Sequence, residues 1–286
     1  MVKVAVYITV FYLIYLILLS KDASYSRNRA FILISLAASL VLPAMTLPVS
    51  NPSGFRFFGK ELPEVFVSAT SKGINGPVPG NLLSSPLLMI STIYTIVVMS
   101  LILKLIFNIL NLRILIAKQK RQRNHIIRFN GFSASGFSAM GYIFINARLN
   151  QEEALYIARH EKNHIRKNHF LDILFIEMLT AFQWFNPFIY FVNRSLRAIH
   201  EYQADRGCLN SGISVVNYQC LLLSQVFKTN SFNLTNSFSN PSLIKKRMLM
   251  MAKRPASPIS NLKLLAVIPV ISLVFVVISA YKEIPD

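Results

Sequence analysis

The chain has 286 residues, of which 53% are hydrophobic and only 15% charged, well below the ~25% charged content of an ordinary globular domain. Lys and Arg exceed Asp and Glu to give a net charge of +18, but the basic residues flank long apolar runs and match no nucleic-acid-binding motif, so they read as membrane-orienting loops rather than a nucleic-acid surface. Cys208 and Cys220 form no CxxC pair, which argues against a zinc ribbon or a disulfide framework and leaves two reduced thiols as the expectation.

Four stretches read as membrane spans. Val4–Leu19 is the first, retained rather than cleaved, because no small-x-small site follows it. Phe31–Leu47 is the second and Leu87–Leu110 the third, joined by a nearly neutral, Gly- and Pro-bearing loop over 48–86. Leu264–Ala280 is the fourth. Lys21, Arg27 and Arg29 make the first loop positive. Arg113, Lys118, Lys120, Arg121, Arg123 and Arg128 follow the third span, and Lys245, Lys246, Arg247, Lys253, Arg254 and Lys263 precede the fourth. All these basic loops share one side if the N-terminus is outside, which makes residues 111–262 cytoplasmic. The expected organisation is three spans in 1–110, a cytoplasmic domain in 111–262, and a fourth span with a short outer tail in 263–286.

Gly141–Ile145 reads as a short strand of aromatic and β-branched residues. A helix should follow, with Asn150 as N-cap and Glu153 completing a capping-box-like pattern. That helix carries His160-Glu161-Lys162-Asn163-His164, an H-E-x-x-H sequence. Residues four apart share a helical face. His160 and His164 are therefore expected to offer two imidazoles to one Zn²⁺, with Glu161 as general base toward the metal-bound water. Glu201, on a helix that Asn186 and Pro187 start well, is the candidate third ligand. Asp205 lies one turn further on the same face, suited to accept a hydrogen bond from a ligand imidazole. His200 points about 100° away from Glu201 and reads as a structural histidine with a partner, and His169 receives no role.

Phe170–Val192 is apolar enough to suggest a fifth crossing, but Asp172, Glu177 and the Asn186-Pro187 break oppose it. A single crossing would also put Glu201 across the membrane from His160. The stretch is therefore expected to form two helices broken at Trp184–Pro187, either buried in the domain or dipping into the bilayer. Gly141–Ile145, just before the metal helix, is a candidate for binding extended substrate by edge pairing. Residues 228–240, a polar linker in which Thr229-Asn230-Ser231-Phe232-Asn233 nearly repeats as Thr235-Asn236-Ser237-Phe238-Ser239, are a candidate site of self-cleavage.

Arg159–Arg166 taken with Phe185-Asn186-Pro187-Phe188, Glu201–Asp205 and the basic segment Phe238–Met248 resembles the BlaR/MecR-type membrane metallopeptidases, the antibiotic-sensor transducers and their relatives. The resemblance implies a mainly α polytopic membrane protein with a cytoplasmic gluzincin-like α+β domain in a bacterial inner membrane. It implies one Zn²⁺ held by His160, His164 and Glu201, and signalling by self-cleavage or loss of a cytoplasmic repressor. The expected partners are the lipid bilayer and a polypeptide substrate, either the chain itself or a cytoplasmic transcriptional repressor, with a homodimer left open and no direct nucleic-acid contact. Only Tyr281–Asp286 follow the last span, so the family's outer penicillin-binding domain is expected to be lacking, and the two S-x-x-K matches at Ser242 and Ser260 read as chance. The rival readings are a quality-control protease of the HtpX or CAAX type and a non-catalytic, zinc-stabilised signalling scaffold. Three spans before the motif and one after it favour the transducer type, and an intact Glu161 disfavours the scaffold.

Overall fold

A computed structural model of the chain describes residues 1–45, 86–119, 125–129, 135–230 and 241–253, with isolated positions between 260 and 272. It is mainly helical. Helix α1 (Val2–Ile14) continues through a π-helical turn, Tyr15–Leu19, and is followed by α2 (Tyr25–Val41), which ends in a 3₁₀ turn, Leu42–Ala44. Helix α3 spans Pro86–Gln119. Val2–Leu19, Tyr25–Ala44 and Leu88–Lys118 are each long and apolar enough to cross a membrane. Nearly all of the expected fourth span, Leu264–Ala280, and of the 48–86 loop lies outside the described residues.

Two of these helices differ from the sequence reading. Helix α2 begins six residues before Phe31, so Arg27 and Arg29 belong to it rather than to a loop. Both find a carboxylate there: Arg27 pairs with Asp22 and Arg29 with Asp172, each at 2.7 Å. Paired charges at a helix end are compatible with a span that starts early. Helix α3 does not stop near Leu110 but runs on for about 51 Å in all, at 1.5 Å per residue. Its far end packs on the sheet, where Ile116 joins Ile127 and Phe144 in one apolar cluster.

The sheet has three strands, β1 (Ile126–Phe129), β2 (Gly136–Ala139) and β3 (Tyr142–Asn146), in the order β1-β3-β2. β1 is parallel and β2 antiparallel to β3. Met140 and Gly141 join β2 to β3 with φ of 49° and 84°, the left-handed pair that a two-residue hairpin turn needs. The expected substrate strand Gly141–Ile145 is therefore corrected. Gly141 is a turn residue, and Tyr142, Ile143, Phe144 and Ile145 belong to the central strand, whose two edges are already hydrogen-bonded to β1 and β2. A strand with both edges paired has no ladder to offer a peptide.

Helix α4 (Gln151–Arg166) lies against β2 and β3. Asn150 caps it as expected, its side chain accepting from the Glu153 N–H at 2.7 Å, and Glu152 and Glu153 suit the positive end of the helix dipole. After a left-handed residue, Asn168, the chain enters α5 (His169–Phe182) and then reverses into α6 (Pro187–Asn210), with Asn186 accepting from the Phe188 N–H as N-cap. The Phe170–Val192 stretch is thus a hairpin, and Glu201 returns to the level of α4. Helix α7 (Val215–Asn230) includes Lys228–Asn230 of the expected linker; residues 231–240 lie outside the described residues, and α8 (Pro241–Ala252) follows.

The hairpin packs along α1. Gln183 Nε2 reaches Met1 O at 3.3 Å and Asn186 Nδ2 reaches Ala5 O at 3.4 Å, while Tyr12 Oη lies 3.2 Å from Ser195 Oγ. The first half of α6 and α1 therefore run side by side in the same direction. One core cluster contains Ile8 and Tyr12 of α1, Ile32 and Leu36 of α2, Ile176 of α5 and Leu196 of α6. Outward-facing Leu171, Met178, Tyr190 and Phe191 leave the hairpin with a broad exposed apolar face.

Gly136 sets the distance between β2 and α4. A Cβ there would lie 2.6 Å from Ile157 Cγ2 and 3.0 Å from Phe144 O. Gly136→Ala is expected to lower stability by about 1–3 kcal/mol through overpacking, measured as a shift in the denaturation midpoint of the detergent-solubilised chain; an unchanged midpoint contradicts this packing.

Candidate metal centre

Helix α4 contributes His160 and His164 on adjacent turns of one face, and their Nε2 atoms lie 3.1 Å apart. Helix α6 crosses α4 closely, with Gly207 against Asn163: a Cβ on Gly207 would come within 2.5 Å of the Asn163 side chain. That approach brings Glu201 in. Its Oε2 lies 3.5 Å from His160 Nε2 and its Oε1 3.6 Å from His164 Nε2. One ligand atom from each of His160, His164 and Glu201 falls within 4.8 Å of the others, forming a candidate metal site among the described residues. The three side chains are largely buried, with 12%, 16% and 26% of their surfaces exposed.

Each imidazole has its other nitrogen occupied. His160 Nδ1 is 2.7 Å from Tyr218 Oη, and that hydroxyl donates to Asp205 Oδ1 at 2.9 Å. The consistent assignment has His160 Nδ1–H donating to Tyr218 Oη. His164 Nδ1 is 2.8 Å from His169 Nδ1, while His169 Nε2 is 2.9 Å from Gln203 Oε1. The carbonyl of Gln203 can only accept, because its NH₂ is used toward Ser26 Oγ at 3.3 Å. His169 then carries its proton on Nε2, His164 Nδ1–H donates to His169 Nδ1, and with both rings neutral the two metal-side Nε2 atoms present lone pairs. Fixing a ligand tautomer through its far nitrogen is how metal-binding histidines are normally oriented.

The charges fit a cation at this point. Burial holds the His164 pKa down to about 3, aided by His160, so this ring is neutral and ready to coordinate. Burial works against protonation of His160 as well, but Tyr218, Asp205 and Glu201 outweigh it and raise its pKa well above the ordinary value. Glu201 is lowered despite burial, through Arg247, His160 and His164. A neutral imidazole and an ionised carboxylate therefore face each other beside His160.

Glu161 is buried beside the pair, and Ser138 of β2 donates to its Oε2 at 2.7 Å. Burial raises its pKa, opposed by His160 and by the Ser138 hydrogen bond. A carboxylate shifted upward toward neutrality is a better proton acceptor at working pH.

Asp205 is almost fully buried. It lies 3.3 Å from His160 Nδ1, and its ion-pair partner is Arg247 of α8, not the sequence-adjacent Arg206 or Arg159. Arg247 spans two carboxylates: Nη1 meets Glu201 Oε2 at 2.9 Å, Nε meets Asp205 Oδ2 at 2.9 Å and Nη2 meets Asp205 Oδ1 at 2.6 Å. His200 is buried away from the ligand cluster, bonded to Asp172 at 2.7 Å and stacked on His169 with ring centroids 4.0 Å apart.

Sequence reasoning missed Ser138, His169, Gln203, Tyr218 and Arg247. His169 had a signal: it is five residues past His164, and the left-handed Asn168 folds it back over that ring. Gln203 sits two residues from Glu201, so only the packing of α6 on α5 directs it to His169. Tyr218 and Arg247 lie on separate helices, and nothing local marks them.

Ser138→Ala removes the donor to the charged form of Glu161, which raises its pKa further. The acid limb of the pH–rate profile of proteolysis is expected to move to higher pH; an unmoved limb would show that Ser138 does not tune Glu161.

Residues 141–251 match the family model described as BlaR1 peptidase M56. No curated protein matches the chain.

Proposed function

From the premise that residues 141–251 form a metallopeptidase domain of the BlaR1 M56 family, we propose that the chain is an integral-membrane, zinc-dependent endopeptidase with a regulatory role. It acts by cleaving itself or a cytoplasmic regulator, and its active site faces the cytoplasm. The observation that carries the reading is the meeting of His160, His164 and Glu201 donor atoms beside the buried Glu161 carboxylate. His160 Nε2, His164 Nε2 and one Glu201 oxygen would hold a single Zn²⁺, the donor set of a catalytic rather than a closed structural site. Bound there, zinc supplies Lewis acidity toward the scissile carbonyl and lowers the pKa of water.

The chain's own residues carry the protons. Glu161 accepts the proton of the attacking water and, so protonated, delivers it to the leaving amine. Ser138 holds the Glu161 carboxylate in place. Tyr218, Asp205, His169 and Gln203 keep the two imidazoles in the tautomer that leaves Nε2 free. The outer edge of β2, unpaired among the described residues and bonded to Glu161 through Ser138, is the better candidate to align an extended substrate. The α5–α6 hairpin, running beside α1 with apolar side chains outward, lies in the bilayer at the depth of the first span. Its acids Glu177 and Asp172 are paired within the protein, with Arg197 and with Arg29, each at 2.7 Å. The expected topology has residues 111–262 cytoplasmic and a fourth span at Leu264–Ala280.

Glu161→Gln is expected to retain one zinc per chain while cutting proteolysis by about 10²–10⁴-fold, the range for loss of a general base. Comparing cleaved peptides in membranes bearing wild type or this variant tests it. Full activity in the variant refutes the mechanism, and a non-catalytic scaffold would show no difference between the two.

In the metal-free chain His160 is raised above its ordinary pKa, whereas His164 is lowered. Coordination needs a deprotonated imidazole, so zinc affinity is expected to rise with pH through the titration of His160, with protons released on binding. Calorimetry in buffers of differing ionisation enthalpy reads this directly; no proton release would contradict the upward shift of His160.

A further inference from the structure

Glu201 and Asp205 stand one turn apart on α6, and both carboxylates face the same guanidinium. Two carboxylates this close repel unless a cation lies between them, and Asp205 is shielded from water. Arg247 is the group that satisfies both. Its side chain is itself 12% exposed, and its planar fork bonds Asp205 twice and Glu201 once, a geometry Lys cannot reproduce. By holding Oε2 of Glu201, Arg247 limits how that carboxylate turns toward the two imidazoles. By holding Asp205, it fixes the acceptor to which Tyr218, and through it His160, is bonded.

The helix carrying Arg247 is short and is tied down near its C-terminal end. Met250 O accepts from Tyr25 Oη at 2.8 Å, Lys253 Nζ donates to Lys21 O at 2.9 Å, and Lys253 O accepts from Arg206 Nη2 at 2.8 Å. Tyr25 and Lys21 border the turn between α1 and α2, the first two candidate membrane spans. Tyr25 also packs on Tyr202 of α6, their ring centroids 5.4 Å apart. On its other face α8 buries Met251 against Cys208 and Tyr218. The same twelve-residue helix thus touches the Glu201 and Asp205 carboxylates at one point and the α1–α2 turn at another.

We propose that α8 is a clasp on the metal centre: Arg247 is a positioning residue for Glu201 and Asp205, and the latch of α8 onto the α1–α2 turn makes zinc retention respond to movement of the membrane helices. This rests on the zinc reading above. It gives a route by which a change in the membrane region alters the site without touching it. If α8 lifts, Asp205 loses its counter-charge and Glu201 loses the bond that aims it, so the metal is released or misplaced.

The test uses the full chain in lipid nanodiscs, with zinc affinity measured by competition against a chromophoric chelator and zinc release measured by trapping. Wild type binding one zinc, with His160→Ala binding none, upholds the underlying reading; wild type binding none overturns that reading and the clasp with it. Given wild-type binding, Arg247→Lys is expected to bind zinc about tenfold more weakly, as loss of a group supporting the ligands typically does. Tyr25→Phe, which removes the Tyr25–Met250 hydrogen bond of the latch and touches no ligand, is expected to speed zinc release several-fold with an unchanged zinc-free melting temperature. Leu249→Ala, on the exposed side of α8, should change neither quantity. Wild-type affinity in Arg247→Lys overturns the positioning role, and wild-type release in Tyr25→Phe overturns the latch. If Arg247→Lys does not fold, Tyr25→Phe decides alone.

Discussion

Glu201 can reach the imidazoles of α4 only because the chain turns back at Trp184–Pro187, and the architecture follows from that reversal. A helix continuing from α5 would carry Glu201 away from His160 and His164. Asn186 and Pro187 stop α5 and start α6, since Pro cannot continue a helix but fits its first turn. The returning helix then serves two environments at once. Its first half packs on α1 and α2, and its second half carries Glu201, Gln203 and Asp205 into the site. The peptidase domain is built onto the candidate membrane helices through this shared element.

In lipid, apolar surface gives helices no reason to prefer each other over acyl chains, so packing and polar contacts fix their relative positions. That explains where the buried polar groups of the chain lie. Asn186 and Gln183 bond backbone carbonyls at the start of α1, Tyr12 meets Ser195, and Arg29 reaches Asp172, which in turn holds His200. His200 stacks on His169, and His169 supports His164. A continuous set of contacts therefore joins α2 to the His164 imidazole, while Arg247, Asp205 and Tyr218 join α8 to that of His160. The two imidazoles are supported from opposite sides by elements that lead back to the membrane helices.

Much of the site was legible because its signals are local. The H-E-x-x-H spacing follows from the 3.6-residue period of a helix, Asn150 and Asn186 announce helix starts, and the metal-site requirement forced the hairpin reading of Phe170–Val192. The strand was legible, but its place in the sheet was not. Alternating aromatic and β-branched residues at 142–145 specify extended backbone equally well for a central or an edge strand. Only the pairing with β1 and β2 decides which it is, and that pairing removed the edge role first given to Gly141–Ile145. Similarly, Arg27 and Arg29 marked a loop by composition, yet their partners Asp22 and Asp172 let α2 absorb them.

The sequence by itself determined the local chemistry: which residues bear imidazole and carboxylate, which helical face they share, where helices start, and that several runs suit a bilayer. These properties depend on neighbours a few residues away. The tertiary structure decided what stands behind each of those groups. Ser138, His169, Gln203, Tyr218 and Arg247 come from a strand and four helices. Their roles arise because a buried donor, acceptor or charge must find a partner wherever the fold brings one within reach. Arg247 reads in the sequence as one more basic residue before an apolar run, and only its distance of 2.9 Å from Glu201 and 2.6 Å from Asp205 distinguishes it from its neighbours Lys245 and Lys246.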